Sequence, residues 1–298
     1  MGKLVIIDGN AILHRAFHAL PPLTTKRGEP INAVYGLVSM VLRVIADLKP
    51  THIAVAFDER APTFRHKELP TYQAQRPPTA NELSGQFGKA RDFLKAAGIP
   101  VYSKPGFEAD DVIGTIVTNT VDDVVIVTGD RDQLQLVNDK KNIKLYMPIA
   151  GLANAKMFGE TETIERMGVP PIQITDLKAL TGDASDNYFG VSGIGPKTAI
   201  TLLSKYESVK AIYEHLNEIP SSVREKLEKG KKSADQSYFL ATIVRDIPLD
   251  LDFEAMGKWN IAGPKVIKLF EEFGFKTLTD RIKKVGKELD DQKQMSLL

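Results

Sequence analysis

The sequence predicts an α/β fold in which a parallel β-sheet core is followed by a largely helical region. Up to about residue 150, short apolar runs alternate with helical segments, and buried strands of parallel sheets have this composition. Three of these runs are closed by an aspartate, at Asp8, Asp58 and Asp130. From Gly190 onward the sequence is helical in pattern. The ligand crevice of such a sheet lies at the carboxyl ends of its strands, so we expect acidic side chains to gather there.

The first 58 residues predict a strand, a helix and a second strand. The strands are the apolar runs 3–8 and 52–58. The helix between them extends from about Val34 to Leu48, because its apolar residues recur about every 3.6 positions.

Residues 59–82 interrupt this alternation. The segment is polar and contains four prolines and four basic residues, Arg60, Arg65, Lys67 and Arg76. A long excursion from a compact sheet is usually functional or disordered. A helix near 81–97 and a short strand around 101–102 follow it.

The remaining elements are predicted in the same way. They are a helix 108–120, a strand 124–130, a short helix 133–137, a strand 143–147 and a helix 172–181. Beyond Gly190 we expect helices with connections at Gly230 and around 254–264. The charged stretch 283–298 predicts a tail.

Length and composition limit the class of protein. A chain of 298 residues with 43% hydrophobic content can form one large α/β domain or two small ones. The 39 basic and 38 acidic residues give a net charge of +1, which indicates no class of partner. The absence of cysteine excludes disulfides, thiol catalysis and zinc–thiolate sites. With no apolar run of membrane-spanning length and no room for a signal peptide before Lys3, we expect a cytoplasmic protein without a membrane partner.

Nine carboxylates fall where each can reach one point in space. They close strands, open a helix or occupy a turn, and they are Asp8, Asp58, Glu108, Asp110, Asp111, Asp130, Asp132, Asp183 and Asp186. Like charges that converge repel one another, so the cluster needs a partner, and divalent cations prefer oxygen ligands. A single Asp at a strand end is more often a cap or a turn former, but nine acids in this pattern favour a metal site.

Helix geometry adds detail to this cluster. Glu108 and Asp111 are three residues apart and share a face, whereas Asp110 points elsewhere unless the first turn is irregular. Two metals close together could clamp the attacking and leaving oxygens of a phosphodiester. No His or Cys nucleophile accompanies the acids, which favours an activated water. The residues alone leave the substrate open.

A glycine-rich segment, 190–199, precedes a predicted helix. Gly193 and Gly195 remove side chains just before it, and Pro196 fits its first position. Backbone amides at a helix start bind phosphate, and Lys197 adds a positive charge. The alternative is an ordinary connection between two helices of a bundle.

Basic and aromatic residues occur together in the 59–82 excursion. Phe64 and Tyr72 stand beside Arg65 and Arg76. Aromatic side chains stack on bases and cations meet phosphates, so this composition suits a single-stranded nucleic acid. An ordinary solvated loop is the alternative. A cluster of lysines at 226–232 could touch a duplex backbone, or could simply be a solvated helix end.

Taken together, the motifs of this sequence resemble those of a known family. From Lys3 to about Phe275 it is similar to the 5′ nuclease (flap endonuclease) family, which includes the N-terminal 5′–3′ exonuclease domain of bacterial DNA polymerase I. The motifs that carry the resemblance are Ile7-Asp8-Gly9-Asn10, Phe57-Asp58, Phe64-Arg65-His66, Arg76-Pro77-Pro78-Thr79, Glu108-Ala109-Asp110-Asp111, Gly129-Asp130-Arg131-Asp132, Gly182-Asp183-Ala184-Ser185-Asp186-Asn187 and Gly193-Ile194-Gly195-Pro196-Lys197-Thr198.

The resemblance implies three regions. Residues 1–180 correspond to a PIN-like nuclease core that includes a helical arch at about 59–97. Residues 181–280 correspond to a DNA-binding helix–three-turn–helix (helix-hairpin-helix) region. Residues 281–298 would be a polar tail.

The resemblance also assigns roles to residues. Around one Mg²⁺ or Mn²⁺ ion it places Asp8, Asp58, Glu108, Asp110 and Asp111, and around a second it places Asp130, Asp132, Asp183 and Asp186. Near the scissile phosphate it places Arg15 and Arg76, with position 73 beside them. For DNA contacts it indicates Arg65 and Tyr72 in the arch, and Gly193, Gly195, Lys197 and Thr198 in the hairpin, where K⁺ often binds.

One position departs from the family pattern. The family usually has Tyr-Lys where this chain has Tyr72-Gln73. Glutamine can donate a hydrogen bond but brings no charge, and charge-assisted bonds are about twice as strong. We therefore expect an active but slower enzyme.

The last five residues, Gln294-Met295-Ser296-Leu297-Leu298, resemble the bacterial sliding-clamp motif. Gln294, Leu297 and Leu298 would be the contacts. An accidental tail sequence is the alternative, because five residues recur by chance.

The function expected from all of this is a structure-specific 5′–3′ DNA nuclease acting on 5′ flaps and 5′ ends in replication and repair. We expect a monomer in the bacterial nucleoid. The alternatives are a PIN-type ribonuclease that cuts RNA primers, and a DNA-junction binding protein with weakened catalysis. The glycine hairpin argues against the first, and the nine acids argue against the second, although Gln73 favours it.

Overall fold

The fold is described from a computed structural model that covers residues 2–150 and 154–295. The strands are β1 (Lys3–Asp8), β2 (His52–Ala56), β3 (Val101–Tyr102), β4 (Asp123–Val127), β5 (Ile143–Ala150) and β6 (Asn154–Phe158). The helices are α1 (Gly9–Ala19), α2 (Asn32–Leu48), α3 (Phe64–Glu68), α4 (Asn81–Ala96), α5 (Ala109–Asn119), α6 (Glu160–Met167), α7 (Ile174–Thr181), α8 (Pro196–Tyr206), α9 (Val209–Glu214), α10 (Ser221–Ala241), α11 (Phe253–Met256), α12 (Pro264–Phe273) and α13 (Lys276–Met295).

The strands form one sheet in the order β3-β2-β1-β4-β5-β6. The first five are parallel, and β6 pairs antiparallel with β5. The α/β class and the parallel core are as predicted, whereas β6 was not anticipated. Because β1 lies between β2 and β4, the carboxyl ends of these three strands meet at one edge, with Asp8, Asp58 and Asp130 at or just beyond them.

Helices cover both faces of the sheet. Successive side chains of a strand point to opposite faces. Leu4 and Ile6 of β1 therefore pack with α5 and with α7 to α11, whereas Val5 and Ile7 pack with α1, α2, α4, α12 and α13. Because helices cover both faces of the sheet, its polar side chains are accessible at the edge formed by the strand ends.

The 59–97 excursion divides into two parts. Leu83, Ala90, Phe93 and Leu94 of α4 are buried in the core. Residues 59–80, which contain only the short helix α3, are the part that leaves it.

Two expectations about the C-terminal third are wrong. Gly230 lies inside α10 rather than at a connection, where it gives room to Val191: a Cβ there would come within 2.7 Å of the Val191 side chain. The tail predicted from about residue 281 is helical as far as Met295. Ile282 is buried, and Val285 and Leu289 pack beside it, a 3–4 residue spacing that the surrounding charges obscured. No helix within the described residues is both long and apolar enough to cross a membrane.

Candidate functional site

A cleft of about 840 Å³ opens over the carboxyl edge of the sheet. It lies between α1, the segment that follows β2, and residues 73–80. Its acidic lining comprises Asp8, Asp58, Glu59, Glu108, Asp110 and Asp130. Five of the nine predicted acids therefore share one accessible space.

The carboxylates of this cleft are held by backbone and side-chain donors. Asp8 caps α1 by accepting from the Ala11 amide at 2.9 Å, and also accepts from Thr128 Oγ1 at 2.8 Å. Asp58 accepts from the Ala109 amide at 2.7 Å. Asp110 accepts from Gln133 Nε2 at 2.6 Å, so it faces the cleft although helix geometry suggested otherwise.

Burial and mutual repulsion make these acids reluctant to ionise. Loss of hydration raises the pKa of Asp8 to about 7 and that of Glu108 to about 7. Loss of hydration, together with the charges of Asp130 and Asp8, raises the pKa of Asp110 well above its usual value. A cation in the cleft would reverse both effects.

Asp111 is not part of this cleft. It is fully buried, and its two oxygens accept from Arg65 Nη1 at 2.8 Å and Nη2 at 2.9 Å. The same oxygens also accept from the Glu108 and Val244 amides. A carboxylate offers about four lone-pair sites. All are taken by protein donors in this structure, and the expectation that Asp111 binds a metal stays a prediction.

Arg65 is buried with Asp111, and the expectation that it contacts DNA stays a prediction. It is 2% exposed, and it also donates to the carbonyls of Leu240 and Thr242. Its guanidinium links α3 to α5 and to the end of α10.

Tyr72 is likewise only 3% exposed, so its side chain is not open to DNA as expected. Its hydroxyl donates to Asp186 at 3.1 Å and lies 3.3 Å from a Glu108 oxygen. Its ring stacks on that of Tyr188. Tyr72 therefore links the acids from the 59–80 side.

A second group of acids converges more tightly. Asp132, Asp183 and Asp186 each offer an oxygen within 4.8 Å of the others, which is the one such trio among the described residues. Asp130, expected with this group, lines the cleft and accepts from the Asp132 amide at 2.8 Å, so it stands between the two groups.

Lys178 neutralises part of this second group, and sequence reasoning missed it. Its ammonium hydrogen-bonds to both Asp132 and Asp183. Burial lowers the pKa of Lys178, but the two carboxylates outweigh it, so that the pKa lies above its usual value. The available signal was a lysine on the buried face of α7, between Leu177 and Ala179.

The same lysine affects its two partners differently. Asp132 is the more deeply buried of the two, and loss of hydration raises its pKa to about 7 despite Lys178. Burial raises the pKa of Asp183 as well, but Lys178 and Ser185 outweigh it and leave that pKa below its usual value. The ammonium therefore compensates one carboxylate fully and the other only in part.

Asp186 is covered by the predicted phosphate-binding residues. Arg76 forms a salt bridge with it, and Gln73 Nε2 donates to the same oxygen at 3.1 Å. The Gln73 backbone has a φ of +55°, and its amide donates to the Asp186 carbonyl at 2.9 Å. The predicted Arg76 and Gln73 therefore lie at the site, bound to an acid.

Arg15 lies on α1, the helix that lines one side of the cleft. A Cβ at Gly129 would come within 3.3 Å of its Nη1, so the guanidinium packs against the turn that carries Asp130. This placement agrees with a position close to the acids.

The glycine hairpin has the predicted helix start. Pro196 is the first residue of α8, and Gly193 has a φ of +78°, which glycine adopts without strain. A Cβ at Gly195 would meet no atom within 4 Å, so the backbone is approachable there. Lys197 is exposed and Thr198 half-buried. Lys226 of α10 donates to the Gly193 carbonyl at 3.3 Å, which places one lysine of the 226–232 cluster at this hairpin.

The expected clamp contacts cannot be placed. Leu297 and Leu298 lie outside the described residues, and Gln294 belongs to the last turn of α13.

Two family models together match most of the chain. The model described as "5'-3' exonuclease, N-terminal resolvase-like domain" matches residues 3–168, and "5'-3' exonuclease, C-terminal SAM fold" matches residues 169–264. The boundary between them falls after α6.

Curated relatives are similar over nearly the whole chain. The chain is 43% identical over 285 residues to DNA polymerase I of Caldicellulosiruptor bescii, covering 94% of this chain and 33% of that protein. It is 37% identical over 297 residues to DNA polymerase I of Bacillus subtilis, covering 98% and 34%. The chain thus spans about a third of the length of the curated relatives it matches.

Solved structures share the fold at lower identity. The D15 protein of T5, crystallised with metal ions, has a TM-score of 0.66 at 20% identity, covering 95% of this chain and 98% of that one. Flap endonuclease-1 from Methanococcus jannaschii has a TM-score of 0.62 at 16% identity, covering 98% and 94%.

Proposed function

This chain belongs to the 5′–3′ exonuclease family, and on that premise we propose that it hydrolyses DNA at 5′ ends and 5′ flaps, in replication and repair. The observation that carries the proposal is the pair of carboxylate groups that meet at one sheet edge beneath residues 59–80. The bacteriophage T5 D15 flap endonuclease bound to DNA and metal ions, and the catalytic core of Rad2 bound to DNA substrate, have the same fold and support DNA as the substrate.

The residues of the cleft fit divalent cations. Their donors are carboxylate oxygens, which suit Mg²⁺ and Mn²⁺ rather than softer metals. The raised pKa values of Asp8 and Glu108 show that negative charge is costly there without a cation. We assign one ion to Asp8, Asp58, Glu108 and Asp110, and a second to Asp130, Asp132, Asp183 and Asp186. When bound, such ions polarise the phosphodiester and favour ionisation of a water.

The protein itself contributes cations and positioning. Arg76 has a half-exposed side chain held on Asp186, and a phosphate entering the cleft would offer it a second anionic partner. Arg15 approaches from the α1 side. Gln73 can donate a hydrogen bond to the same phosphate but adds no charge, which supports the expectation of a slower reaction.

The hairpin is proposed to hold the duplex. The backbone at Gly193 and Gly195, with Lys197 and Thr198 at the start of α8, would bind a phosphate of one strand. A K⁺ ion at 190–199 is part of this proposal.

Further proposals concern partners. We propose that the chain binds the sliding clamp through Gln294, Leu297 and Leu298. We also propose that it acts as a monomer in the bacterial nucleoid. Deleting residues 294–298 should abolish retention on an immobilised clamp, and unchanged retention would count against the motif.

The direct test is cleavage of a labelled 5′-flap DNA with Mg²⁺, with Asp8→Asn as a control that keeps a side-chain oxygen to cap α1. We expect product mapped close to the strand junction with the wild-type chain and none with the variant. Cleavage confined to an RNA strand would support the ribonuclease. Tight binding without cleavage would support the junction-binding protein. This outcome is worth testing because Lys178 and Arg76 form salt bridges with the second acid group.

A further inference from the structure

Phe189 is the most exposed of the large aromatic side chains in the described part of the chain. It is 79% exposed, against 47% for Phe239 and 43% for Tyr238. Scattered apolar residues on a surface are ordinary. The position and the support of this ring are what distinguish it.

The backbone around Phe189 is fixed on every side. Its carbonyl accepts hydrogen bonds from Ser233 and Ser237 of α10, at 2.5 and 2.8 Å. Before it, Tyr188 pairs through both backbone groups with Asp183. After it, Gly190 packs so tightly that a Cβ would collide with the Leu180 carbonyl. The ring is therefore presented by a rigid support and is not part of a loose loop.

The chain sends neighbouring side chains in opposite directions here. Tyr188 is 3% exposed and stacks on Tyr72, whose hydroxyl binds Asp186. Phe189 follows and faces solvent. The ring therefore projects from the residue next to Tyr188, whose backbone pairs with Asp183 of the second acid group, and along the chain it lies three residues after Asp186 and four before Gly193 of the hairpin.

Cations flank the path from the acids to the hairpin. Lys226 donates to the Gly193 carbonyl, and Lys229 is exposed on α10 one turn before Ser233. An aromatic ring beside lysines is the combination that holds nucleic acid, because bases stack on the ring while phosphates meet the cations. Bases inside a duplex are covered by their neighbours. The ring can therefore stack only on an unpaired base or on the open end of the helix.

We propose that Phe189 is a positioning residue whose ring stacks on an unpaired or terminal base beside the cut site. This inference rests on the proposed function and adds to it a contact that sets the register of the strand between the acids and the hairpin. Its recognition is sequence-tolerant, since every base has a stacking face.

The test compares Phe189→Ala, Phe189→Leu and Phe189→Trp with Ile172→Ala, a control on another equally exposed apolar side chain. Affinity for a 5′-flap DNA is measured by fluorescence anisotropy with Ca²⁺ in place of Mg²⁺, and single-turnover cleavage is measured with Mg²⁺. We expect about tenfold weaker binding for Phe189→Ala, a similar loss for Phe189→Leu, and recovery in Phe189→Trp. The rate at saturating enzyme should change much less than the affinity.

Abasic sites placed one at a time near the junction identify the partner base. At one position the abasic DNA should bind wild type and Phe189→Ala equally. The stacking role would be overturned if Phe189→Ala bound as tightly as wild type, or if it lost the same affinity for DNA with an abasic site at any position and for continuous duplex. Either result would leave the nuclease proposal standing. Failure of the wild-type chain to cleave any DNA would instead overturn the nuclease proposal.

Discussion

The two acid groups lie side by side at the same sheet edge but balance their charge differently. Asp132, Asp183 and Asp186 have internal partners, Lys178 and Arg76, which form salt bridges with them. Among the described residues, no salt bridge reaches Asp8, Asp58 or Asp110 of the cleft. Asp8 and Asp110 keep protons instead, as their raised pKa values indicate. A metal would enter the cleft by displacing protons, and the second group by displacing cations of the protein.

The largest expected effect separates activity from stability in the cleft group. Asp110→Asn removes one proposed ligand, and we expect cleavage to fall by more than the roughly 10–100-fold typical of residues that only support a ligand. The same change replaces an acid that must take up a proton on folding with a neutral amide, so unfolding in EDTA should require about 1–2 kcal/mol more free energy. Single-turnover assays and urea denaturation measure the two. A variant that is both inactive and less stable would contradict this account of the cleft.

Removing the internal cation tests the second group. Lys178→Met leaves buried carboxylates without a partner, and we expect stability in EDTA to fall by about 3 kcal/mol. Mn²⁺ binding, measured by calorimetry, should become tighter because no ammonium competes for the oxygens. The matched control is Lys210→Met, which breaks an exposed pair with Glu214 and should change neither quantity. Weaker Mn²⁺ binding in Lys178→Met would show that the lysine assists the metal.

The cleft acids also predict a pH dependence for the metal-free chain. Asp8 and Glu108 hold protons up to about pH 7 when folded, but only up to about pH 4 when unfolded. The folded state therefore binds more protons between these values, and stability falls as pH rises through this window. From pH 5.5 to 8 in EDTA we expect the Tm to drop by about 5 °C.

Two further measurements sharpen this test. Mg²⁺ should restore more stability at pH 8 than at pH 5.5, and Asp8→Asn should flatten the profile. A Tm that rises with pH over this range would refute the assignment. Below that range Asp183, whose pKa is depressed, contributes in the opposite sense.

The smallest effect concerns the residue that covers Asp186. Gln73→Lys adds a charge beside Arg76, and we expect about a fivefold gain in the single-turnover rate, because charge-assisted hydrogen bonds to phosphate are stronger. Gln73→Met, similar in size but without a donor, is the matched control and should be slower than wild type. No gain from the lysine would mean that position 73 does not limit the rate.

The gathering of acids at one edge of the sheet was predictable from the sequence, whereas the pairing of individual acids with basic side chains was not. Apolar runs that end in Asp8, Asp58 and Asp130 predict where these side chains gather, because strand direction alone decides it. Arg65 and Asp111 each belong to a recognisable motif, yet they neutralise each other across 46 positions. Only tertiary contact reveals such a pair. In the same way, Gly230 was predicted to interrupt a helix, but it lies inside α10 because Val191 packs against it.

The contacts of Arg65 also determine whether the two fragments of a nicked chain would stay associated. Its guanidinium binds Asp111 at the start of α5 and two carbonyls at the end of α10, while α4, on the other side of residues 69–80, is buried in the sheet layer. A protease that nicks the exposed Arg76–Ala80 stretch would therefore leave two pieces that stay associated. The nicked protein should migrate as one species in native gels and separate only in denaturant.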